Sequence, residues 1–445
     1  MLYKFRENAK LALTVLILVG LVLGLFVGQF LYDPSWNLSL PQKSHHSADW
    51  LTLFHFIGFT IFMGLLKMLI IPLVSVSVIV GVTSVGDFRK LGRLGSWTLL
   101  YYLATMLIAA SIGLALVTLI QPGAQISTST ASLHAMPTEI DPHVSHGGLL
   151  GIFENLLKMM IPENIFLAMA EGQTLAIIVF FIFFGVVTTL IGEKGRLIVR
   201  LCEALFEVIM SMVEIVLWLA PLGVFSLMAW TVARVGLGVF GESIGLYMLT
   251  VIIGLALHAF VVLPSVLLIF ARTNPLRFLH QMRQAIMTAI ATDSSSATLP
   301  VTMDCATTQA DVSPRAAGLV LPLGSTINMD GTALYEAVAV VFIAQAYGVE
   351  LGMAQLVLIA VTATLAAVGA ASIPSAGLVT MVIVVEAVNQ SLSAAGVNGA
   401  IPVVGIGLII GVDRLLDMLR TAVNVWGDAV GAKIISELDN KDSST

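Results

Sequence analysis

Leu11 to Tyr32 reads LALTVLILVGLVLGLFVGQFLY, a run without one charged side chain. A helix needs about 20 apolar residues to cross a bilayer. Backbone in hydrocarbon must satisfy its own hydrogen bonds, so this stretch predicts a spanning helix. Lys4, Arg6 and Lys10 precede it, and no small-residue cleavage site follows directly. It is also longer than a usual signal-peptide core, which predicts a retained first helix and not a removed leader. Further apolar runs follow at roughly 51–86, 94–120, 164–192, 197–232 and 241–271. Over the whole chain, 58% of residues are hydrophobic and 11% charged, against about 45–50% and about 25% in soluble proteins. Mean hydropathy is +0.98. The chain reads as an all-α integral membrane protein. Its net charge of −6 then says little about partners, and no basic run suggests nucleic acid. Cys202 and Cys305 form neither a metal spacing nor a disulfide framework.

Basic residues orient the spans. Lys4, Arg6 and Lys10 place the N-terminus inside. Arg89, Lys90 and Arg93 follow the second span, Lys194, Arg196 and Arg200 the fourth, and Arg272 and Arg277 the sixth. Residues 121–157 hold no Lys or Arg, and 32–50 hold only Lys43. Six spans therefore alternate consistently in a multi-pass cell-membrane protein with a cytoplasmic N-terminus. The runs at 51–86 and 197–232 are too long to stand upright at about 1.5 Å per residue, and are expected to tilt strongly or extend into the interface. Glu203, Glu207 and Glu214 share one face of the latter and read as a polar interfacial stripe. His134, His143 and His146 lie in the loop from Ser132 to Gly148, which reads as a polar insertion and not a metal site; His45 and His46 read likewise.

Beyond residue 275 the pattern changes. AIATDSSSATLPVTM (Ala289–Met303) and AAVGAASIPSAGLVTM (Ala366–Met381) are Ser/Gly/Ala/Pro tips between short apolar arms. Such arms suit re-entrant segments. Each tip precedes a longer segment with a polar centre. Interrupted hydrophobic segments in matching halves are a sequence pointer to a transporter's binding site.

The second of those longer segments contains GVDRLLDMLRTAVNVWGD, Gly411 to Asp428. At about 100° per residue, Asp413, Asp417, Arg420, Thr421, Asn424 and Asp428 fall within an arc of about 100°. Leu415, Leu419, Ala422 and Trp426 lie elsewhere on the wheel. A charge at mid-membrane costs at least about 2.5–3.5 kcal/mol on insertion scales, so this face must look into protein or a wet cavity. A structural ion pair between Asp417 and Arg420 would explain only two of the six. Acid and guanidinium together suit a zwitterion: Asp417 can accept from an ammonium and Arg420 can clamp a carboxylate. Oxygens of Asn424 and Asp428 suit a hard cation. In the first segment, NMDGT (Asn328–Thr332) sits mid-span. Gly331 permits unwinding there, freeing carbonyls beside the side-chain oxygens of Asn328 and Asp330. Glu336 follows Thr332 by one turn, and withdrawal from water favours its protonated form, which makes it a candidate proton carrier.

Taken together, SSSATLPVTM (Ser294–Met303), LPLGSTINMDGTALYEA (Leu321–Ala337), GAASIPSAGLVTM (Gly369–Met381) and DMLRTAVNVWGD (Asp417–Asp428) resemble the dicarboxylate/amino acid:cation symporter family. That family includes archaeal aspartate transporters and animal excitatory amino acid transporters. APLGVF (Ala220–Phe225) and YYLAT (Tyr101–Thr105) match more weakly, and the likeness covers nearly the whole chain. The resemblance implies eight transmembrane helices plus two re-entrant helical hairpins, arranged as inverted repeats in an elevator-type homotrimer. On that pattern 1–93 holds scaffold helices 1–2, 94–120 transport helix 3, 121–163 an extracellular loop and 164–232 scaffold helices 4–5. Transport helix 6 falls at 233–271, the first hairpin at 272–313, helix 7 at 314–346, the second hairpin at 347–400, helix 8 at 401–436 and a cytoplasmic tail at 437–445.

Carried over by position, the resemblance implies that Arg420 and Thr332 hold a side-chain carboxylate and Asp417 an ammonium. Thr421 and Asn424 would take the main-chain end, and backbone near Ser295, Ile373 and Gly377 would close around the cargo. Gly324, Asn328, Asn424 and Asp428 resemble one sodium site, and Tyr102, Thr105, Asn328 and Asp330 a second. Thr326 with backbone near Met329, Ala367, Val368 and Ala370 resembles a third. The implied function is uptake of L-aspartate or L-glutamate, with sodium ions as coupling ions, protons alongside or partly replacing them, and no organic cofactor. The implied partners are the acidic amino acid, the lipid bilayer and two further copies of the chain.

Three positions depart from the pattern. Met106 stands where relatives have Ser or Thr, and a thioether is a poor ligand for a hard cation. Asp293 and Met418 stand where relatives place an arginine, which argues against potassium counter-transport. Glu336 matches the proton-carrying glutamate of animal members, where archaeal members have glutamine. Symport of neutral amino acids or of C4-dicarboxylates is the alternative within the family, and a passive ion channel the alternative outside it. Ser294–Ser296 does not suggest an enzyme, because only His258 and His280 lie near and no Gly-x-Ser-x-Gly elbow is present.

Overall fold

A computed structural model describes residues 2–32, 46–84, 88–124, 126, 157, 160–171, 173–368, 376–394 and 400–443, and every regular element among them is helical. The loop holding His134, His143 and His146 lies outside the described residues, as do Lys43 and His45.

The first charge-free run is helix α1 (Leu2–Phe30). It packs along α8 (Ala220–Val235), and the contact is set by Gly20, Gly24 and Gly28, spaced one turn apart. A Cβ on Gly24 would lie 2.8 Å from Met228 Cβ, and one on Gly28 would lie 2.8 Å from Ala229 O. Small residues at this spacing let two backbones approach where lipid supplies no hydrophobic drive.

Residues 51–84 of the 51–86 run lie within one helical path. It comprises α2 (His46–His55), a π-helical turn at Phe56–Phe62 and α3 (Met63–Ser84), which carries Pro72 inside it. Helix α4 (Phe88–Ile120) follows, then the short α5 (Ile165–Ala170) and α6 (Thr174–Leu190). The 197–232 run is not one continuous helix. It is α7 (Arg196–Leu217) and α8, separated at Trp218–Leu219, with Pro221 in the first turn of α8 where its missing N–H costs nothing. Glu203 and Glu207 lie on the exposed side of α7 beside Leu201, Leu205 and Val208.

Helices α9 (Leu237–Leu257) and α10 (Leu263–Ala271) are joined by a π-helical turn at His258–Val262. Helix α11 (Pro275–Thr292) starts where Asn274 Oδ1 accepts from the Leu276 and Arg277 amides at 3.0 and 3.2 Å. It ends at Asp293, which is left-handed at φ 52° and ψ 38°. Ser294 then caps α12 (Ser295–Asp304) by accepting from the Ala297 amide at 3.3 Å. The first polar tip is therefore a two-residue turn between helices.

Helix α13 (Pro314–Ile327) ends at Asn328 and Met329, whose backbone is non-helical, and α14 (Asp330–Ala346) resumes at once. Every residue of α14 except Gln345 is buried. It is the centre of the molecule, enclosed by α4, α9, α15 (Met353–Val368), α16 (Ala376–Ala394) and α17 (Ile410–Ser443). Its polar side chains, Asp330, Thr332 and Glu336, are thereby held within protein and away from lipid. Among the described residues three helical stretches are long and apolar enough to cross a membrane: Leu94–Ile120, Phe240–Ala271 and the broken Pro314–Ala346. The second polar tip, 369–375, lies outside the described residues, and with it Ala370 and Ile373.

Candidate functional site

The polar arc of α17 faces inward. Asp413, Asp417, Arg420, Thr421, Asn424 and Asp428 are all buried, whereas Leu415 is 54% and Leu419 37% exposed. The apolar side is not uniformly outward: Ala422 and Trp426 are buried as well. Trp426 Nε1 donates to Ala259 O at 3.0 Å, and its ring meets that of Phe278. The C-terminal half of α17 is thus enclosed on both sides, and its outward face is confined to the N-terminal half.

Arg420 organises the upper part of this arc. Its Nη2 contacts Asp417 Oδ1 and lies 3.3 Å from Asp413 Oδ1. The Tyr335 ring of α14 covers the guanidinium face, with Cζ 3.8 Å from the ring centroid. Gly377, near the start of α16, closes from another side: a Cβ there would lie 2.8 Å from Nη1. Only glycine allows the α16 backbone to approach so near. Nη1 and Nε have no hydrogen-bond partner among the described residues. The Asp417–Arg420 pair therefore forms, and two guanidinium donors remain unbonded among the described residues. A buried guanidinium normally satisfies its donors, and an anion could do so here.

Lower down, the break at Asn328–Met329 is stitched to α17. Asn328 Nδ2 donates to Asp428 Oδ1 at 3.0 Å, and the Gly331 amide donates to Asn424 Oδ1 at 2.8 Å. The second bond corrects the reading of Gly331 as the unwinding residue. Gly331 is helical, and the unwound pair is Asn328–Met329. Its smallness serves packing, since a Cβ on it would lie 2.7 Å from Arg420 O. Asn328 Oδ1 and Asp330 Oδ1 are buried without a hydrogen-bond partner among the described residues. Two orphaned oxygens of this kind at a helix break fit a hard cation.

Gly324 faces Asp428 and the Tyr102 hydroxyl. Tyr102 itself donates to Val320 O at 2.6 Å, and Tyr101 to Gly427 O at 2.9 Å. Thr105 and Thr326 donate to carbonyls of their own helices, at 3.1 and 3.0 Å, which leaves their oxygen lone pairs available. Met106 Sδ accepts from the Met329 amide at 3.4 Å, so the thioether props the break and occupies one backbone donor. Asn424 Nδ2 reaches Met329 Sδ at 3.4 Å. Thr332 is buried beside the break on α14, and Ser295 is buried at the start of α12. Ala367 and Val368 are buried at the end of α15.

Glu336 is fully buried; its Oε1 accepts from Thr380 of α16, and its Oε2 has no hydrogen-bond partner among the described residues. Several participants were given no site role from the sequence. His258 Nε2 lies 3.1 Å from Asp330 Oδ2, both wholly buried. Asp293 in the α11–α12 turn meets Thr421 and Arg414. Thr380 and Tyr335 belong with them. Only Asp293 and Arg414 left a trace, as charges next to recognised motifs; the others are reached through contacts distant in sequence.

A helical bundle that buries a guanidinium, several carboxylates and a broken helix among its spans has the features of a membrane transporter for charged solutes. The chain belongs to the sodium:dicarboxylate symporter family, whose model matches residues 13–438. It is 37% identical to excitatory amino acid transporter 3 of Oryctolagus cuniculus over 99% of this chain and 87% of that protein. It is 36% identical to excitatory amino acid transporter 2 of Mus musculus, over 99% of this chain and 82% of the relative. A putative sodium-dependent excitatory amino acid transporter, glt-4, of Caenorhabditis elegans is 36% identical over 97% of this chain and 90% of its own length. The family is one of symporters, which sets aside both the channel and the enzyme alternatives.

Proposed function

We infer that this protein takes up L-aspartate or L-glutamate, driven by sodium and assisted by protons. The observation that carries this reading is the guanidinium of Arg420, buried, flanked by Asp417 and Asp413, and with Nη1 and Nε unbonded among the described residues. The side-chain carboxylate of the cargo accepts from Nη1 and Nε, while its ammonium lies against Asp417 and the Thr421 hydroxyl. Thr332, Ser295, Gly377 and Ile373 complete the enclosure. Asn424 takes the main-chain end of the cargo and adds an oxygen to the sodium site; its amide oxygen accepts from the Gly331 amide with one lone pair and keeps the other.

Sodium is bound at the break. Asn328, Asp330 and Asp428 supply side-chain oxygens, with Gly324, Tyr102 and Thr105 beside them; Thr326, Met329, Ala367, Val368 and Ala370 form a further site. Glu336 carries a proton, and its bond to Thr380 ties that proton to the position of α16. Residues 272–313 and 347–400 act as re-entrant hairpins in a mobile transport domain with 94–120, 233–271 and helices 7 and 8. Residues 1–93 and 164–232 form a trimerising scaffold, and both termini are cytoplasmic. The paired α11–α12 and α15–α16 arms and the tight α1–α8 contact support that division.

The test is uptake of labelled L-aspartate into proteoliposomes with sodium, proton and potassium gradients imposed one at a time. Inward sodium drives uptake and an inward proton gradient adds to it; a potassium gradient has no effect. Uptake indifferent to sodium overturns the reading.

A further inference from the structure

Tyr335 lies against the guanidinium of Arg420, with Cζ 3.8 Å from the ring centroid. A tyrosine ring can turn about χ1 and χ2, so its place there depends on what packs around it. The neighbour that fixes it is Tyr247 of α9. The two rings have centroids 6.4 Å apart and planes at 60°, inside the separation of about 4.5–7 Å at which aromatic pairs attract edge to face. Tyr247 also packs on Phe342, at 4.7 Å and 32°. Tyr335 and Phe342 are seven residues apart on α14, about two turns, and so share one face of it. Tyr247 bridges both. All three rings are 0% exposed. Neither the Tyr247 nor the Tyr335 hydroxyl has a hydrogen-bond partner among the described residues. The Tyr335 ring is therefore held by packing against other rings.

We propose that Tyr247 is a positioning residue: it holds the Tyr335 ring against Arg420 and so favours cargo that carries a side-chain carboxylate. The inference rests on the role given to Arg420 above. A guanidinium binds a carboxylate through two parallel bonds only if its plane is fixed. Asp413 and Asp417 both engage Nη2, which is one end of the group. A ring against the face keeps the rest of the plane from tilting, and its π-cloud attracts the cation where water is excluded. Nη1 and Nε then stay aligned for a carboxylate. Without the Tyr247 ring, Tyr335 can turn into the space left behind, and an anionic side chain is held less well. An amino acid with a neutral side chain asks nothing of the guanidinium and is unaffected.

Purified protein in proteoliposomes is assayed for the KM of L-aspartate and the competition constant of L-alanine. Tyr247→Leu raises the aspartate KM about fivefold, the scale of a weakened cation–π contact out of water, while the alanine constant stays within about twofold. Tyr247→Phe keeps the ring and keeps the wild-type ratio of the two constants. Tyr335→Leu lowers aspartate preference to the same degree, and adding Tyr247→Leu to it causes no further change. A purely structural role for Tyr247 would lower Vmax or the yield of folded protein and leave the ratio alone. Should Tyr247→Leu fail to fold, Phe342→Leu, which withdraws the ring on which Tyr247 packs, moves the ratio in the same direction. A wild-type ratio in folded Tyr247→Leu, or in Phe342→Leu taking its place, overturns the inference alone. So does a Tyr247→Phe protein as impaired as Tyr247→Leu, since the ring would not then carry the effect. A wild-type protein that takes up no L-aspartate overturns the proposed function and this inference together.

Discussion

Replacing Arg420 with cysteine removes the buried guanidinium between Asp413 and Asp417 and tests the electrostatics on both sides of it. Two donors, Nη1 and Nε, are left for cargo. Hydrogen bonds to charged groups contribute about 1.5–3 kcal/mol each, and truncating one partner of a buried charge pair costs about 2–5 kcal/mol. At about 1.4 kcal/mol per decade, the affinity for L-aspartate should fall about 10²–10³-fold. Asp413 and Asp417 lose their shared counter-charge in the same stroke. Breaking a buried pair costs about 3–5 kcal/mol, so the variant should also be less stable, and its monodispersity must be confirmed before transport is read. A neutral amino acid keeps the ammonium and needs no guanidinium. Preference should therefore move toward alanine- or serine-sized cargo. The assay is competition of unlabelled amino acids against labelled L-aspartate and L-serine uptake in proteoliposomes. Undiminished aspartate uptake in folded Arg420→Cys would refute the assignment.

Glu336→Gln should flatten the pH dependence of uptake. If Glu336 carries a proton inward, lowering external pH stimulates the wild type, whereas the amide cannot take up that proton; identical profiles in the two proteins reject the role. Asn328→Ala removes one orphaned oxygen and the bond to Asp428; the sodium concentration for half-maximal uptake should rise about tenfold, and an unchanged sodium curve counts against a cation at the break. Gly24→Val forces side-chain atoms into Met228 and Phe225; overpacking of this kind costs about 1–3 kcal/mol, read as a lower melting temperature in detergent, and a melting temperature equal to wild type would show that α1 can move away from α8.

The polar arc of α17 was legible because a 3.6-residue period projects directly from sequence to surface, and because charges are costly enough in a membrane that they cannot face lipid by accident. The interruption at NMDGT was legible for the same reason. Which residue unwinds was not. Glycine signals both flexibility and closeness, and only the Arg420 backbone against Gly331 decides for closeness. The α7–α8 break was hidden because apolar composition continues through Trp218 and Leu219, with Pro221 the one sign of a restart. The clamp from Asp293 to Thr421 and Arg414 spans more than a hundred residues of chain. No periodicity reports such a contact; it exists because the α11–α12 turn docks on α17. Burial of Trp426 was likewise set by α10 and α11 and not by its own helix.

The central claim is that one inward flank of α17 reads both charges of a small cargo. Equilibrium competition on the purified protein in saturating sodium tests it most directly, with L-aspartate, succinate, which lacks the ammonium, and L-alanine, which lacks the side-chain carboxylate. The account predicts that each lesser ligand binds at least about tenfold more weakly than L-aspartate, the loss expected for one charged contact. Equal competition by either succinate or alanine would contradict it.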